Sequence, residues 1–231
     1  MRTYRNINKT NESVVKQSLE VLGAPTVSFE DYRNAFYTIG KELGHIICDS
    51  MQDLPDAEVM FSFANEDADW LGRGVMEGGG KTKAKISVFW NGREELYSDK
   101  YRKIEISPIL KSYEEPIATC KVLVIVKSII STSCVVKSQL NRLISRINPD
   151  RIWVIAPVMY KDAQNSLSSE FPLSISKKFD FYTFAVDDER EGNTIIPGVG
   201  GQVYPRLGLG DFIGKNKYTP EMVIRRIVKM R

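Results

Sequence analysis

Histidine and cysteine are scarce in this chain. Its 231 residues include one histidine, His45, and three cysteines, Cys48, Cys120 and Cys134. The cysteines lack metal-ligand spacing and are odd in number, which argues against a zinc ribbon or a disulfide framework and fits a reducing cytoplasm. His45 sits in a helical pattern (FYTIGKELGHIICDSM) without a nucleophile to serve, so it reads as structural. A one-sided charge is missing too: 32 basic against 29 acidic residues leave +3 at pH 7, and nucleic acid is not indicated as a partner. No apolar run reaches membrane-spanning length and no signal peptide is apparent, so neither insertion nor secretion is expected.

What the chain does contain is apolar runs alternating with amphipathic segments, at a length that fits one domain with an added lobe. Residues 58–64 (EVMFSFA), 85–90 (KISVFW), 122–126 (VLVIV), 151–158 (RIWVIAPV) and 179–186 (FDFYTFAV) read as five strands. Runs such as Val122–Val126 suit strands buried on both faces, hence a parallel sheet with helices on both sides. Helical spacing marks Phe29–Met51, a helix near residues 67–75, and Cys134–Ile147. The last helix is opened by Thr219 and Pro220 and closed by basic residues, and its apolar stripe (Val223, Ile224, Ile227, Val228) is expected to face the core. Residues 1–28 form a polar, loosely attached N-terminal extension with a helical pattern through Val14, Val15, Leu19 and Leu22. The glycine-lysine stretch GGGKTKAK lacks the pattern of a P-loop.

Two segments carry chemistry. In residues 122–136 (VLVIVKSIISTSCVV) a strand runs through Lys127 and Ser128 into three hydroxyl residues, Ser131, Thr132 and Ser133, and then a helix. Those hydroxyls either cap the helix or join its free amides in holding an anion such as phosphate. Cys134 is either an activated thiol at the helix start or a small buried filler. In residues 186–208 (VDDEREGNTIIPGVGGQVYPRLG) an acidic strand end precedes Ile196, Pro197, Gly198, Val199, Gly200 and Gly201. Glycines so clustered suit a tight turn or backbone recognition of a flat ligand. A further cluster, Asn65 with the acidic Glu66, Asp67 and Asp69, reads as the cap and first turn of a helix, with a metal site as the alternative.

In this order, the two segments resemble the type I phosphoribosyltransferases, with the IIPG turn most like the uracil phosphoribosyltransferase branch. The resemblance implies a twisted, mainly parallel sheet with helices on both faces, a domain over residues 29–231, and a mobile hood inserted at about 91–115, where Tyr97, Tyr101 and Tyr113 could cover a ligand or contact a partner. It implies a 5-phosphate held by Ser131, Thr132, Ser133 and Cys134, and a base read by Ile196, Pro197, Gly198, Val199 and Gly200. Active members carry two carboxylates for the ribose hydroxyls where this chain has Lys127 and Ser128, and the phosphate loop has lost its glycines. A Lys127 ammonium pointing into the site, about 4 Å from a sugar developing positive charge, would cost roughly 4 kcal/mol at an effective dielectric near 20, about a thousandfold in rate; the alternative is a side chain turned outward and paired with an acidic residue.

The preferred expectation is therefore a degenerate phosphoribosyltransferase-like protein, cytoplasmic, that acts by binding a nucleotide-like small molecule or a protein partner. Bacterial nucleotide-stress or antiviral defence systems are the setting the resemblance implies, and a homodimer is a further possible partner state. No cofactor or metal is expected, and Mg2+ only with bound phosphoribosyl pyrophosphate. The alternative is an active uracil-type enzyme that recruits Asp187 or Asp188 in place of the missing pair. A third reading treats Lys127 and Ser128 as replacements for two native carboxylates.

Overall fold

The structure is a computed structural model and describes residues 1–97, 103–192 and 194–229. In chain order the strands are β1 (Arg2–Tyr4), β2 (Val59–Ala64), β3 (Lys85–Asn91), β4 (Glu94–Tyr97), β5 (Lys103–Ile106), β6 (Ile109–Glu114), β7 (Val122–Val126), β8 (Ile129–Ile130), β9 (Arg151–Ile155), β10 (Val158–Tyr160), β11 (Phe179–Tyr182), β12 (Ala185–Asp187), β13 (Glu189–Glu191) and β14 (Thr194–Ile196). The helices are α1 (Glu12–Gly23), α2 (Phe29–Met51), α3 (Asn65–Asp67), α4 (Arg73–Gly78), α5 (Cys134–Ile147), α6 (Ala163–Ser169), α7 (Leu173–Ser176), α8 (Val203–Arg206), α9 (Phe212–Lys217) and α10 (Glu221–Lys229). A π-helical turn, Ala68–Gly72, joins α3 to α4.

The main sheet has the order β11-β9-β7-β2-β3-β6, parallel except for the antiparallel edge strand β6. Alternate residues of its central strands enter two separate cores. Val59, Phe61, Phe63, Val122, Val124, Val126 and Trp153 pack on the side of α1, α2 and α4. Met60, Leu123, Ile125, Ile152 and Val154 pack on the side of α5 and α6. Burial on both faces is why these strands read as unbroken apolar runs, each large side chain contributing roughly 1.5–3 kcal/mol. The α/β architecture with helices on both faces agrees with the sequence expectation.

Several details depart from it. The segments 151–158 and 179–186 are not single strands. Both break, at Ala156-Pro157 and at Thr183-Phe184, and the chain continues into a second sheet of order β1-β12-β10-β8. Pro157 has no amide to continue a ladder, and its carbonyl instead accepts from Phe184 N, Ala185 N and Thr183 Oγ1. β7 breaks in step, at Lys127 and Ser128, before resuming as β8. The N-terminal segment is not loosely attached: β1 pairs antiparallel with β12, and Val15, Leu19 and Leu22 are buried in the larger core. On α10 only Val223 is buried, while Ile224, Ile227 and Val228 face solvent.

α2 and the π-turn/α4 segment approach backbone to backbone. Gly40 and Gly44 face Leu71, Gly74, Val75 and Gly78, and a β-carbon on Gly74 or Gly78 would strike the carbonyls of Tyr37 or Lys41. Two small-residue pairs four apart make this contact possible. It anchors the segment that delivers the acidic residues of the site. The hood is narrower than expected: β4 and β5 form an antiparallel hairpin, but β6 belongs to the main sheet. Of the hood tyrosines, Tyr101 lies outside the described residues, as does the side chain of Tyr97, and Tyr113 is on β6 with its hydroxyl 3.2 Å from Glu115 Oε1.

Candidate functional site

The carboxyl ends of parallel strands leave backbone and loops free to surround a ligand. Here the ends of β2, β3 and β7 open onto a cavity of about 360 Å³, large enough for a small-molecule ligand. Glu66 follows β2; Asn91 ends β3, with Gly92 and Arg93 after it; Lys127, Ser128, Ser131 and Thr132 follow β7. Thr194, Ile195, the stretch from Gly201 to Tyr204, Phe212 and Lys215 close the other side.

Lys127 is the centre of the arrangement. Its side chain turns inward, only 8% of the residue being exposed. Nζ donates to Asp67 Oδ2 at 2.6 Å, to Ser128 Oγ at 3.0 Å and to Glu66 Oε1 at 3.3 Å. Asp67 also accepts from the Ser128 amide at 3.2 Å. Burial opposes the charge of Lys127, but Asp67 and Glu66 outweigh it and hold the ammonium above the ordinary lysine value. Burial likewise opposes the charge on Glu66, and Lys127 with Lys215 outweighs it, keeping that carboxyl below its ordinary value. Asp67 is pushed upward by burial.

Glu66 and Asp67 stand in the first turn of α3, as the sequence reading has them, but no side chain caps that helix and the acidic residues serve further purposes. Glu66 and Asp67 neutralise a lysine 60 and 61 residues further along the chain. Asp69 accepts from the amides of Glu221 at 2.7 Å and Met222 at 2.9 Å and so caps α10. Asn65 Nδ2 holds the Lys215 carbonyl at 2.7 Å. Among the described residues no group of three or more His, Cys, Asp or Glu could hold a metal ion. Lys127 and Ser128 both take part in this hydrogen-bonded cluster. Pairing also cancels much of the repulsion an isolated ammonium would exert on a charged sugar. Neither position 127 nor position 128 carries a carboxylate.

The hydroxyl loop is divided. Ser131 and Thr132 line the cavity, whereas Ser133 and Cys134 do not. The Ser133 hydroxyl donates to Glu170, which also pairs with Lys137. The Cys134 thiol contacts the Glu105 carbonyl of the hood at 3.3 Å, and the thiol is a partly buried packing group. A carboxylate at Ser133 repels phosphate, so a phosphate would be confined to the Ser131-Thr132 side.

The proposed base-reading turn is displaced as well. The segment from Ile196 to Gly200 does not line the cavity. Its carbonyls are occupied within the protein: Gly198 O by Arg2 Nη2 at 2.7 Å, Val199 O by the Tyr32 hydroxyl at 2.8 Å, and Gly200 O by Arg206 Nη1 at 2.6 Å. The Ile196-Pro197 peptide is cis, and Gly198 and Gly200 have φ of 54° and 74°. These glycines serve a turn that docks on the N-terminal elements. Asp187, 0% exposed, is committed to that turn, accepting two bonds from Arg2 at 2.8 Å each and one from Gly198 N at 2.9 Å. It is unavailable to replace a ribose-binding carboxylate, and Asp188 lies on the exposed rim beside Met1. Asp211 caps α9 by accepting from Gly214 N at 2.8 Å.

Residues not singled out in the sequence complete the walls. Lys215 Nζ donates to Asn91 O at 2.9 Å and lies 3.6 Å from Glu66 Oε2. Asn91 is 3% exposed, and neither Oδ1 nor Nδ2 has a hydrogen-bond partner among the described residues. Such an orphaned amide costs about 1–3 kcal/mol. Tyr204 and Phe212 flank the Lys215 ammonium at 5.9 and 5.5 Å. His45 is exposed on α2, 3.4 Å from Glu42.

No protein-family model matches the sequence, and no curated protein matches it. Among solved structures, the AQ2163 protein of Aquifex aeolicus is similar over 85% of this chain and 94% of its own, at 16% identity and a TM-score of 0.66. The two share a fold. Phosphoribosyltransferases recur among the similar structures: adenine phosphoribosyltransferase of Trypanosoma brucei, in complex with AMP, pyrophosphate and ribose-5-phosphate, at 12% identity, coverage of 78% and 82%, and TM-score 0.49; and hypoxanthine phosphoribosyltransferase of Staphylococcus aureus at 16%, 59% and 67%, and 0.40. At those scores the last two bear no weight on function.

Proposed function

We propose that this chain binds a phosphate-bearing, nucleotide-like ligand in the cavity at the ends of β2, β3 and β7, and does not transfer a phosphoribosyl group. One observation supports this most directly: at the place where the resemblance calls for ribose-binding carboxylates, a buried lysine is paired to Glu66 and Asp67. The cavity keeps features suited to binding, with Ser131 and Thr132 for a phosphate, Lys215 and Arg93 as cations, and the faces of Tyr204 and Phe212 for a planar ring. It lacks a carboxylate on β7 to hold the sugar while pyrophosphate departs. Cytoplasmic signalling in a nucleotide-stress or defence setting, with or without homodimerisation, is the role such binding would serve.

Calorimetric titration of the purified chain with phosphoribosyl pyrophosphate, with pyrophosphate release followed in the same samples plus uracil, tests the proposal. Binding without turnover is expected. Turnover overturns the loss of transfer, and absence of binding at millimolar ligand overturns the ligand site and leaves the partner surfaces as the place of function.

A further inference from the structure

A cation site is recognised by what converges on the positive centre. Around Nζ of Lys127 stand Asp67 Oδ2, Ser128 Oγ and Glu66 Oε1, at 2.6, 3.0 and 3.3 Å. Two carboxylates and a hydroxyl are the oxygen donors that a hard divalent ion also selects. Ammonium and metal cannot share them. The resemblance implies Mg2+ alongside phosphoribosyl pyrophosphate, and the residues present do not fit it: positions 127 and 128 carry no carboxylate, and the two nearby carboxylates are already spent on Lys127.

We infer that the Lys127 ammonium is the resident cation of this cavity, tethered by its own side chain, and that ligand binding here is independent of divalent metal. Relative to the pattern the resemblance implies, the charges have changed sides of the cleft. The carboxylates stand at the end of β2 and the positive charge at the end of β7, so the cluster stays close to neutral without an added ion. A tethered cation does not dissociate and cannot be chelated. For an anionic ligand, the cluster of Lys127 and Lys215 with Glu66 and Asp67 presents a balanced wall that needs no metal to neutralise it, and Arg93 adds a cation at the cavity lining. The cation site stands on protein atoms alone, and the inference rests on the proposed function only for its ligand arm.

Mn2+ binding by the full chain, read by electron paramagnetic resonance, tests the cation site. The wild type is expected to bind no Mn2+ up to millimolar concentration. Lys127→Ala should gain Mn2+ binding, Lys127→Ala combined with Asp67→Asn should lose that gain, and Lys127→Arg should behave as wild type. Wild-type binding that disappears in Glu66→Gln, or a folded Lys127→Ala that takes up no Mn2+, overturns the inference. If Lys127→Ala does not fold, the wild-type titration decides. In the ligand arm, wild-type affinity for phosphoribosyl pyrophosphate should be the same within a few-fold in Mg2+ and in chelator. A tenfold or greater loss in chelator overturns metal independence while sustaining the proposed function. No binding in either medium overturns the proposed function, and the Mn2+ titration then decides the inference alone.

Discussion

Replacing Lys127 by methionine removes a charge while nearly keeping the chain's length. The carboxylates left behind are not equally stranded. Glu66 keeps Lys215 at 3.6 Å, but Asp67 retains only the Ser128 amide at 3.2 Å. Removing one partner of a buried pair costs about 3–5 kcal/mol, because an uncompensated charge stays inside. We expect Lys127→Met to lose about that much at pH 7 in urea unfolding followed by tryptophan fluorescence, Trp153 being buried. Adding Asp67→Asn removes the stranded charge, and the double variant should recover to within about 2 kcal/mol of wild type, since exchanging a buried pair for neutral groups is often close to neutral. The pH dependence has a definite sign. A carboxyl pushed up by burial, as Asp67 is, takes its proton more readily in the folded chain than in the unfolded one. The deficit of Lys127→Met should therefore be largest at neutral pH and shrink as pH falls toward the ordinary aspartate value. A loss below about 1 kcal/mol, typical of solvent-screened pairs, or a double variant no more stable than the single one, would refute the reasoning.

Three further outcomes follow from other parts of the molecule. Asn91→Leu deletes an amide that has no partner among the described residues, so the melting temperature should stay level or rise; a clear drop would show that the amide is satisfied in solution. Gly78→Ala drives a β-carbon into the Lys41 carbonyl where α4 crosses α2, and should cost about 1–3 kcal/mol by denaturant titration, whereas Gly80→Ala, with open space around it, meets no such clash but carries the strain of its φ of 66°. The buried Cys120 thiol is pushed up from 9.0 to about 12, chiefly by burial. The unfolded chain therefore gives up that proton first as pH rises, and stability falls between those values. Measured as the difference between pH 7 and 10.5, wild type should lose roughly 2 kcal/mol more than Cys120→Ala.

Much of this fold is local in origin and could be read along the chain. Val122–Val126 and Phe29–Met51 appear in the structure at the expected bounds, because a strand buried on both faces must be apolar throughout and a helix on a core must repeat its apolar residues every three or four positions. The placing of Ser131 and Thr132 at a strand-helix junction beside a cavity is equally local. The breaks after Ile155 and Tyr182 were harder to see, since each second segment is as apolar as the first and only Pro157 marks the bend. The glycines of the IIPG turn signal unusual dihedrals but not whether the freed backbone meets a ligand or, as here, Arg2, Tyr32 and Arg206.

The character of the site was decided by tertiary structure. In the sequence Lys127 is a cation at the end of a strand, and Glu66 and Asp67 are acids at the start of a helix, each with an ordinary local explanation. Only the parallel pairing of β2 with β7, Phe63 beside Val126, brings those two chain ends together and buries the three charges as one cluster. Periodicity and propensity act over a few residues, whereas the energy of a charge depends on what surrounds it in space. The sequence by itself determined which segments become strands and helices, and the crossing of those segments determined that Lys127 lies buried against Glu66 and Asp67.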